Sequence, residues 1–298
     1  MSLWTVFVTA LLTADPGDTP APREKKIIFF SRTARTVQGK VPQRPRKPSR
    51  PKRVRVEDDP RKKGNSRVFA KARVAFVAPR DLAQLAADEP VRIQLRVSGY
   101  ALGPLQPGGP VPHAHLIVDN TPAMEIDDAS APVALKGLGP GPHLLRAVLC
   151  RPWHEVVKAR HAFAMARFWV GPRLEGKAGK AAEHGAWPDP RGPILTYVFP
   201  MGSRGEQLEL EGAADPPAGP DRPVLDFYLA NAKLARRGDK VRVVLDRREL
   251  PLLTEWKPHR LRRAWPGAHR ITIDLLDRRG LNVKNPVNRT DRRFEVRR

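Results

Sequence analysis

Cysteine is almost absent from this chain. Cys150 is the single one among 298 residues, which excludes an intramolecular disulfide and any zinc site built from thiolates. An exported form of the protein would have to stand on its hydrophobic cores alone. Acids are scarce as well: 31 Asp and Glu face 54 Lys and Arg, for a formal charge of +23 and a pI near 11. An imbalance of that size points to a polyanionic neighbour, whether nucleic acid, an anionic membrane face or an acidic polysaccharide. Long apolar runs are also missing. The longest N-terminal one, residues 3–12, is shorter than the ~20 residues that a bilayer-crossing helix needs, so no integral span is expected. No Ser/His/Asp or Cys/His arrangement suggests a nucleophile, and the expectation is a protein that is not an enzyme. Residues 171–178, GPRLEGKA, come close to a phosphate-binding loop. They carry Ala178 where Ser or Thr would hold magnesium, and no strand–helix unit surrounds them, so they read as linker.

What is abundant is proline, 32 residues, together with basic charge, and both concentrate near the N-terminus. Between residues 23 and 73 there are 19 Lys and Arg against 4 acids, a net of +15. Proline and like charge prevent a core from forming, so residues 15–66 are expected to be a disordered or polyproline-like arm. Its densest stretch supplies Arg44, Arg46, Lys47, Arg50, Lys52, Arg53 and Arg55 as the expected polyanion contacts. Residues 1–14 read as a signal peptide that ends at Thr13-Ala14, although no Lys or Arg precedes the apolar run.

From residue 68 the pattern changes to alternation with period 2, the mark of half-buried strands. Segments 73–79, 91–99, 113–119, 132–138, 143–149 and 163–171 form one set. Segments 195–200, 224–231, 240–246, 259–265, 269–276 and 292–297 form a second, behind a Gly/Lys/Ala-rich linker at 172–191 that should leave the halves mobile. The two sets repeat one another. Leu116-Ile117-Val118-Asp119 matches Val243-Val244-Leu245-Asp246, and Pro140-Gly141-Pro142-His143 matches Pro266-Gly267-Ala268-His269. Arg167-Phe168-Trp169-Val170 likewise matches Arg293-Phe294-Glu295-Val296. Six or seven short strands per repeat, divided by turn signals, define an all-β chain of two tandem immunoglobulin-like β-sandwiches, at 67–171 and 192–298.

The string Pro-Gly-x-His, an alternating strand, the turn Asp277-Arg278-Arg279-Gly280 and a last strand resembles the final third of bacterial immunoglobulin-like or fibronectin-III-like domains. The first repeat departs from it, with CRPWHEVVKARHAF at 150–163 in place of the tight turn. The resemblance spans about residues 68–298. It implies a sandwich fold and a secreted or envelope setting, and it implies no activity, because the fold hosts many functions.

Several residues are candidates for chemistry. His143 and His269 recur at one place in both repeats and should face inward, bonding a backbone group near the strand start. Ala114, Leu116 and Val118 should face the core, sending His113, His115, Ile117 and Asp119 outward. Two imidazoles ~7 Å apart on one strand face can share a transition metal. His154, Glu155 or His161 would have to complete such a site. Arg151, Trp153, His154 and Glu155 sit where the loop replaces the turn and could present an aromatic beside a cation to a sugar or protein ligand. Glu125, Asp127 and Asp128 form a small acidic group with no matching second cluster. Beyond the histidines no motif implies a cofactor. The preferred reading is an exported envelope or periplasmic binding or structural module, tethered through its arm to a polyanionic surface or envelope polymer. Two alternatives stay open: a cytoplasmic protein that binds polyanions or nucleic acid, and a periplasmic metal-binding protein using surface histidines.

Overall fold

The computed structural model describes residues 55–58, 69–104, 111–201, 223–262 and 264–296. The expected signal peptide and the arm residues Arg44, Arg46, Lys47, Arg50, Lys52 and Arg53 lie outside them. The first sandwich is built from β2 (Arg73–Ala78), β3 (Ala83–Leu85), β4 (Val91–Ser98), β5 (His113–Val118), β6 (Met124–Ile126), β7 (Val133–Leu135), β8 (Gly141–Cys150) and β9 (Phe163–Val170). They form a β2-β4-β7 sheet and a β3-β9-β8-β5-β6 sheet, antiparallel except for β3 on β9. The second is built from β10 (Ile194–Phe199), β11 (Val224–Ala230), β12 (Lys240–Leu245), β13 (Arg248–Glu249), β14 (His259–Arg262), β15 (Gly267–Leu276) and β16 (Arg289–Val296). Its sheets run β10-β11-β14 and β13-β12-β15-β16. Apart from β3, which has no counterpart beside β16, the second order repeats the first. The structure thus has the all-β tandem-sandwich fold that the alternation implied.

The alternation is cleanest in β16, where Thr290, Arg292, Phe294 and Val296 are buried and Arg289, Asp291, Arg293 and Glu295 are exposed. Phe168 and Phe294, equivalent in the two repeats, are both almost wholly buried, and each such ring contributes about 1.5–3 kcal/mol. The two histidines form a repeated latch. His143 Nδ1 meets Asp119 Oδ2 at 2.9 Å, and Asp119 Oδ1 accepts from the Leu144 N–H at 2.8 Å. His269 meets Asp246 Oδ2 at 2.7 Å, and Asp246 Oδ1 accepts from the Arg270 N–H at 2.9 Å. Their other nitrogens donate to the Gly139 and Trp265 carbonyls. Both aspartates have positive φ, 50° and 48°, at the end of a strand, which turns the carboxylate back onto the neighbouring strand. The Asp119 side chain is therefore a structural acceptor and does not simply face outward.

Two expectations need correction. The linker contains a helix, α1 (Gly176–Ala186), where a mobile connection was expected. Ala, Lys and Glu are good helix formers, and the segment's three glycines hid that. The helix is anchored through Glu183, which accepts from Trp169 Nε1 (3.0 Å) and Arg173 Nε (2.8 Å), and through Trp187 just after it, whose Nε1 donates to the His143 carbonyl (2.8 Å). The second correction concerns the arm. Residues Arg55–Asp58 are a strand, β1, which pairs antiparallel with β14 at the edge of the second sandwich. Strand pairing draws on backbone groups, which basic composition does not remove, so Arg55 belongs to a sheet edge.

The two sandwiches pack against each other. Val198, Met201 and Tyr228 of the second join the core of the first, and Ile194 and Val287 pack with Leu144, Trp169 and Trp187. Asn120 binds the Arg289 carbonyl, Thr290 Oγ1 and Arg292 Nη2 at 2.7–3.0 Å. Fully buried Arg146 donates to Thr196 Oγ1 (3.2 Å), Asn120 Oδ1 (3.2 Å) and the Asp119 carbonyl.

Candidate metal centre

β5 places His113 and His115 two residues apart on one face, with their rings stacked at 4.8 Å between centroids. Hairpin partner β6 places Glu125 directly opposite His115. The 151–162 loop supplies His154. These four are the one group among the described residues that brings three or more ligating side chains together, with all four donor atoms within 4.8 Å of one another.

The nitrogen geometry is tight. His113 Nε2 lies 3.0 Å from His115 Nε2 and 3.1 Å from His154 Nδ1, and the latter two are 3.4 Å apart. The centre of that triangle is roughly 1.8 Å from each corner, just inside the ~2.0–2.1 Å of a zinc–imidazole bond. An ion slightly out of the plane would bond all three. Glu125 Oε1 stands 3.5 Å from His154 Nδ1 and 4.0 Å from His115 Nε2, wider than the ~3.3 Å edge of a tetrahedral zinc site, so the carboxylate would have to move in to join a bound ion. That oxygen is buried and makes no hydrogen bond, and His115 Nδ1 is likewise buried with no hydrogen-bond partner among the described residues.

Proton accounting points the same way. The Val111 carbonyl, 2.9 Å from His113 Nδ1, can only accept. The proton is therefore on Nδ1, and Nε2 presents a bare lone pair to the cluster, the tautomer control seen behind metal-bound histidines. Burial pushes the His113 and His115 imidazoles below the ordinary histidine range, and charge on His113 and His154 would lower His115 further. A bare His113 Nε2 either accepts an N–H from His115 or His154, according to their tautomers, or shares a cation with them when their lone pairs turn inward as well. Burial, aided by Asp127, raises the Glu125 carboxyl to about 7. The donor set suits an imidazole-seeking transition ion such as Zn(II), Cu(II) or Ni(II). It does not suit magnesium or calcium, which take shells of oxygen.

The loop pays for this aim with backbone strain at His154, whose φ of 61° is uncommon for a residue with a Cβ. The turn is held by His154 N–H to the Arg151 carbonyl (2.9 Å) and Arg151 N–H to the Glu155 carbonyl (2.8 Å). The expected ligand surface of Arg151, Trp153 and Glu155 is largely spent on bracing that turn. Buried Glu155 accepts from Trp153 Nε1 (2.8 Å) and faces Arg151 Nη1 (3.6 Å), while the Arg151 guanidinium lies over Phe69 and Trp153. Trp153 alone keeps an exposed face.

The expectation that His113 and His115 are surface residues is overturned: they are 2% and 0% exposed. The strand parity was right, but the outer face of this sheet is covered by the 151–162 loop and the second sandwich instead of water. Of the three residues expected to complete a site, His154 joins the cluster. Glu155 and His161 lie outside the cluster, and His161 is exposed. Glu125 was missed as a ligand. Its signal was a hairpin turn at residues 119–122, which brings Met124–Ile126 back along His113–Val118 in register.

No protein-family model matches the chain, and neither does any curated protein. Distant similarity links it to fibronectin-III-like and immunoglobulin-like modules in solved structures. The fibronectin(III)-like modules of Clostridium thermocellum CbhA align at 11% identity over 75% of this chain and 94% of theirs, with a TM-score of 0.25. Bacteroides ovatus SGBP-B, solved in complex with a mixed-linkage heptasaccharide, aligns at 12% identity over 75% and 70%, with a TM-score of 0.23. The central fibronectin-III array of RIM-binding protein aligns at 12% identity over 78% and 71%, also at 0.23. Overlaps this low say nothing about ligand or location. The sandwich assignment rests on the strand order and pairing described above.

Proposed function

We propose that this protein is a metal-binding tandem β-sandwich that takes one divalent transition-metal ion at His113, His115, His154 and Glu125. The convergence of three imidazole nitrogens within 3.4 Å of one another carries the reading. With Glu125 drawn in, four protein donors would complete a tetrahedron, the closed arrangement of ions that hold structure, as opposed to the open one that activates water. That supports a binding role without catalysis. The N-terminal apolar run and the net charge of +15 over residues 23–73 support export and tethering to a polyanionic surface as the setting.

The experiment is titration of chelator-treated full-length protein with Zn(II) by calorimetry. The expected result is one ion per chain, with binding abolished in His113→Ala/His115→Ala while the far-ultraviolet spectrum stays that of a β protein. Absence of uptake by the wild type, or unchanged uptake by the double variant, would contradict the assignment.

A further inference from the structure

The metal ligand on the loop is also the residue that meets the second sandwich. His154 stacks on Phe199 of β10 with centroids 5.3 Å apart and planes within 2°. The residues that follow it in the loop bind β11. The Val156 N–H donates to Asp226 Oδ2 (2.9 Å), and Lys158 Nζ donates to both Asp226 oxygens (2.8 and 2.9 Å). Tyr228 Oη donates to the Ala159 carbonyl (2.8 Å) and contacts that of Arg160 (3.1 Å). Asp226, Lys158 and Val156 are all buried, so this is an interior junction.

A bulge makes the junction fit. Pairing of β10 with β11 slips between Tyr197 and Phe199, leaving one extra residue on β10. Before the slip, Leu195 and Tyr197 point into the core of the second sandwich; after it, Val198 and Phe199 join the core of the first. Bulges re-aim side chains in this way and increase local twist. The strand is thus turned outward at the point where its ring covers His154.

We propose that the metal ion couples the two sandwiches, so that metal loading and docking of the second sandwich on the 151–162 loop stabilise one another. The proposal rests on the metal reading above. An ion on His154 Nδ1 fixes the imidazole plane that Phe199 covers and holds the turn that presents Val156 and Lys158 to Asp226. Linkage requires the reverse: contacts from the second sandwich that hold His154 in place must tighten metal binding. Phe199 and Tyr228 are positioning residues in this account and touch no metal.

The test pairs Zn(II) affinity with local hydrogen exchange in the full-length protein. Phe199→Leu keeps an apolar side chain and loses the stacked ring; Tyr228→Phe loses only the hydroxyl and serves if the first variant does not fold. Each is expected to weaken Zn(II) binding by about fivefold or more with the stoichiometry still one per chain. Removing Zn(II) from the wild type is expected to speed exchange at residues 156–160 and in β11, with β16 unaffected. Unchanged affinity in a folded variant, together with exchange indifferent to Zn(II), would overturn the coupling and leave the metal centre standing. A wild type that takes up no Zn(II) would overturn both.

Discussion

At the scale of single residues, the two repeats use one aspartate–histidine latch, and only one copy of the sandwich carries the extra histidines. The latch makes a pH prediction. Burial alone would lower the His143 imidazole, but the Asp119 carboxylate and the Gly139 carbonyl outweigh it and hold it above the ordinary histidine value. A raised folded-state value means that this contribution to stability is complete below the unfolded pKa of ~6.5 and is lost as pH rises through the folded one. In an NMR titration His143 should therefore give up its proton above 6.5, and the melting temperature should drift down over the same interval. A midpoint below 6.5 would show that burial dominates. The same two elements of physics, burial and a neighbouring acceptor, end oppositely at His113 and His115, where burial outweighs what the neighbouring acceptors contribute.

Among elements, β1 and the 151–162 loop do most to define this chain. β1 covers the outer edge of β14 through the pairs Arg55↔Arg262 to Asp58↔His259. Proline in that ladder removes an N–H donor. Val56→Pro is therefore expected to lower the melting temperature, at roughly 2–4 °C per kcal/mol lost, while leaving Zn(II) stoichiometry at one. An unchanged melting curve would mean that the edge pairing contributes nothing. Much at this scale was legible beforehand. Strands such as 73–78 and 91–98 announce themselves because one face meets the core and the other meets water, and the segment expected at 292–297 is the second half of β16. What stayed hidden were pieces whose cause is not in their own alternation. β3, β6 and β13 are two or three residues long, too short to show a period. α1 was masked by its glycines, and β1 by its basic surroundings. Glu125 was hidden for the first of these reasons, since it sits in the middle of β6.

For the whole molecule, the decisive fact is that the outer face of the first sandwich is not a surface. Alternation told correctly which way His113 and His115 point, but no local pattern reports that a second domain will cover that face. The buried faces of Leu144 and Trp169, packed with Ile194 and Val287, carry the same lesson. The equivalent of Trp169 in the second repeat is Glu295, which is exposed. A tryptophan in one copy and a glutamate in the other was the sequence's record that one outer face is covered and its counterpart is wet. The proposed metal centre follows from that cover, because histidines left in water would be separately solvated, whereas here they are pressed together with one another and with Glu125.

The most direct test of that account is X-ray absorption at the zinc edge on the protein loaded with one equivalent of Zn(II). The account predicts a four-coordinate shell of nitrogen and oxygen at ~2.0–2.1 Å, with the outer-shell scattering of three imidazoles. A shell of oxygen with one imidazole or none would contradict it.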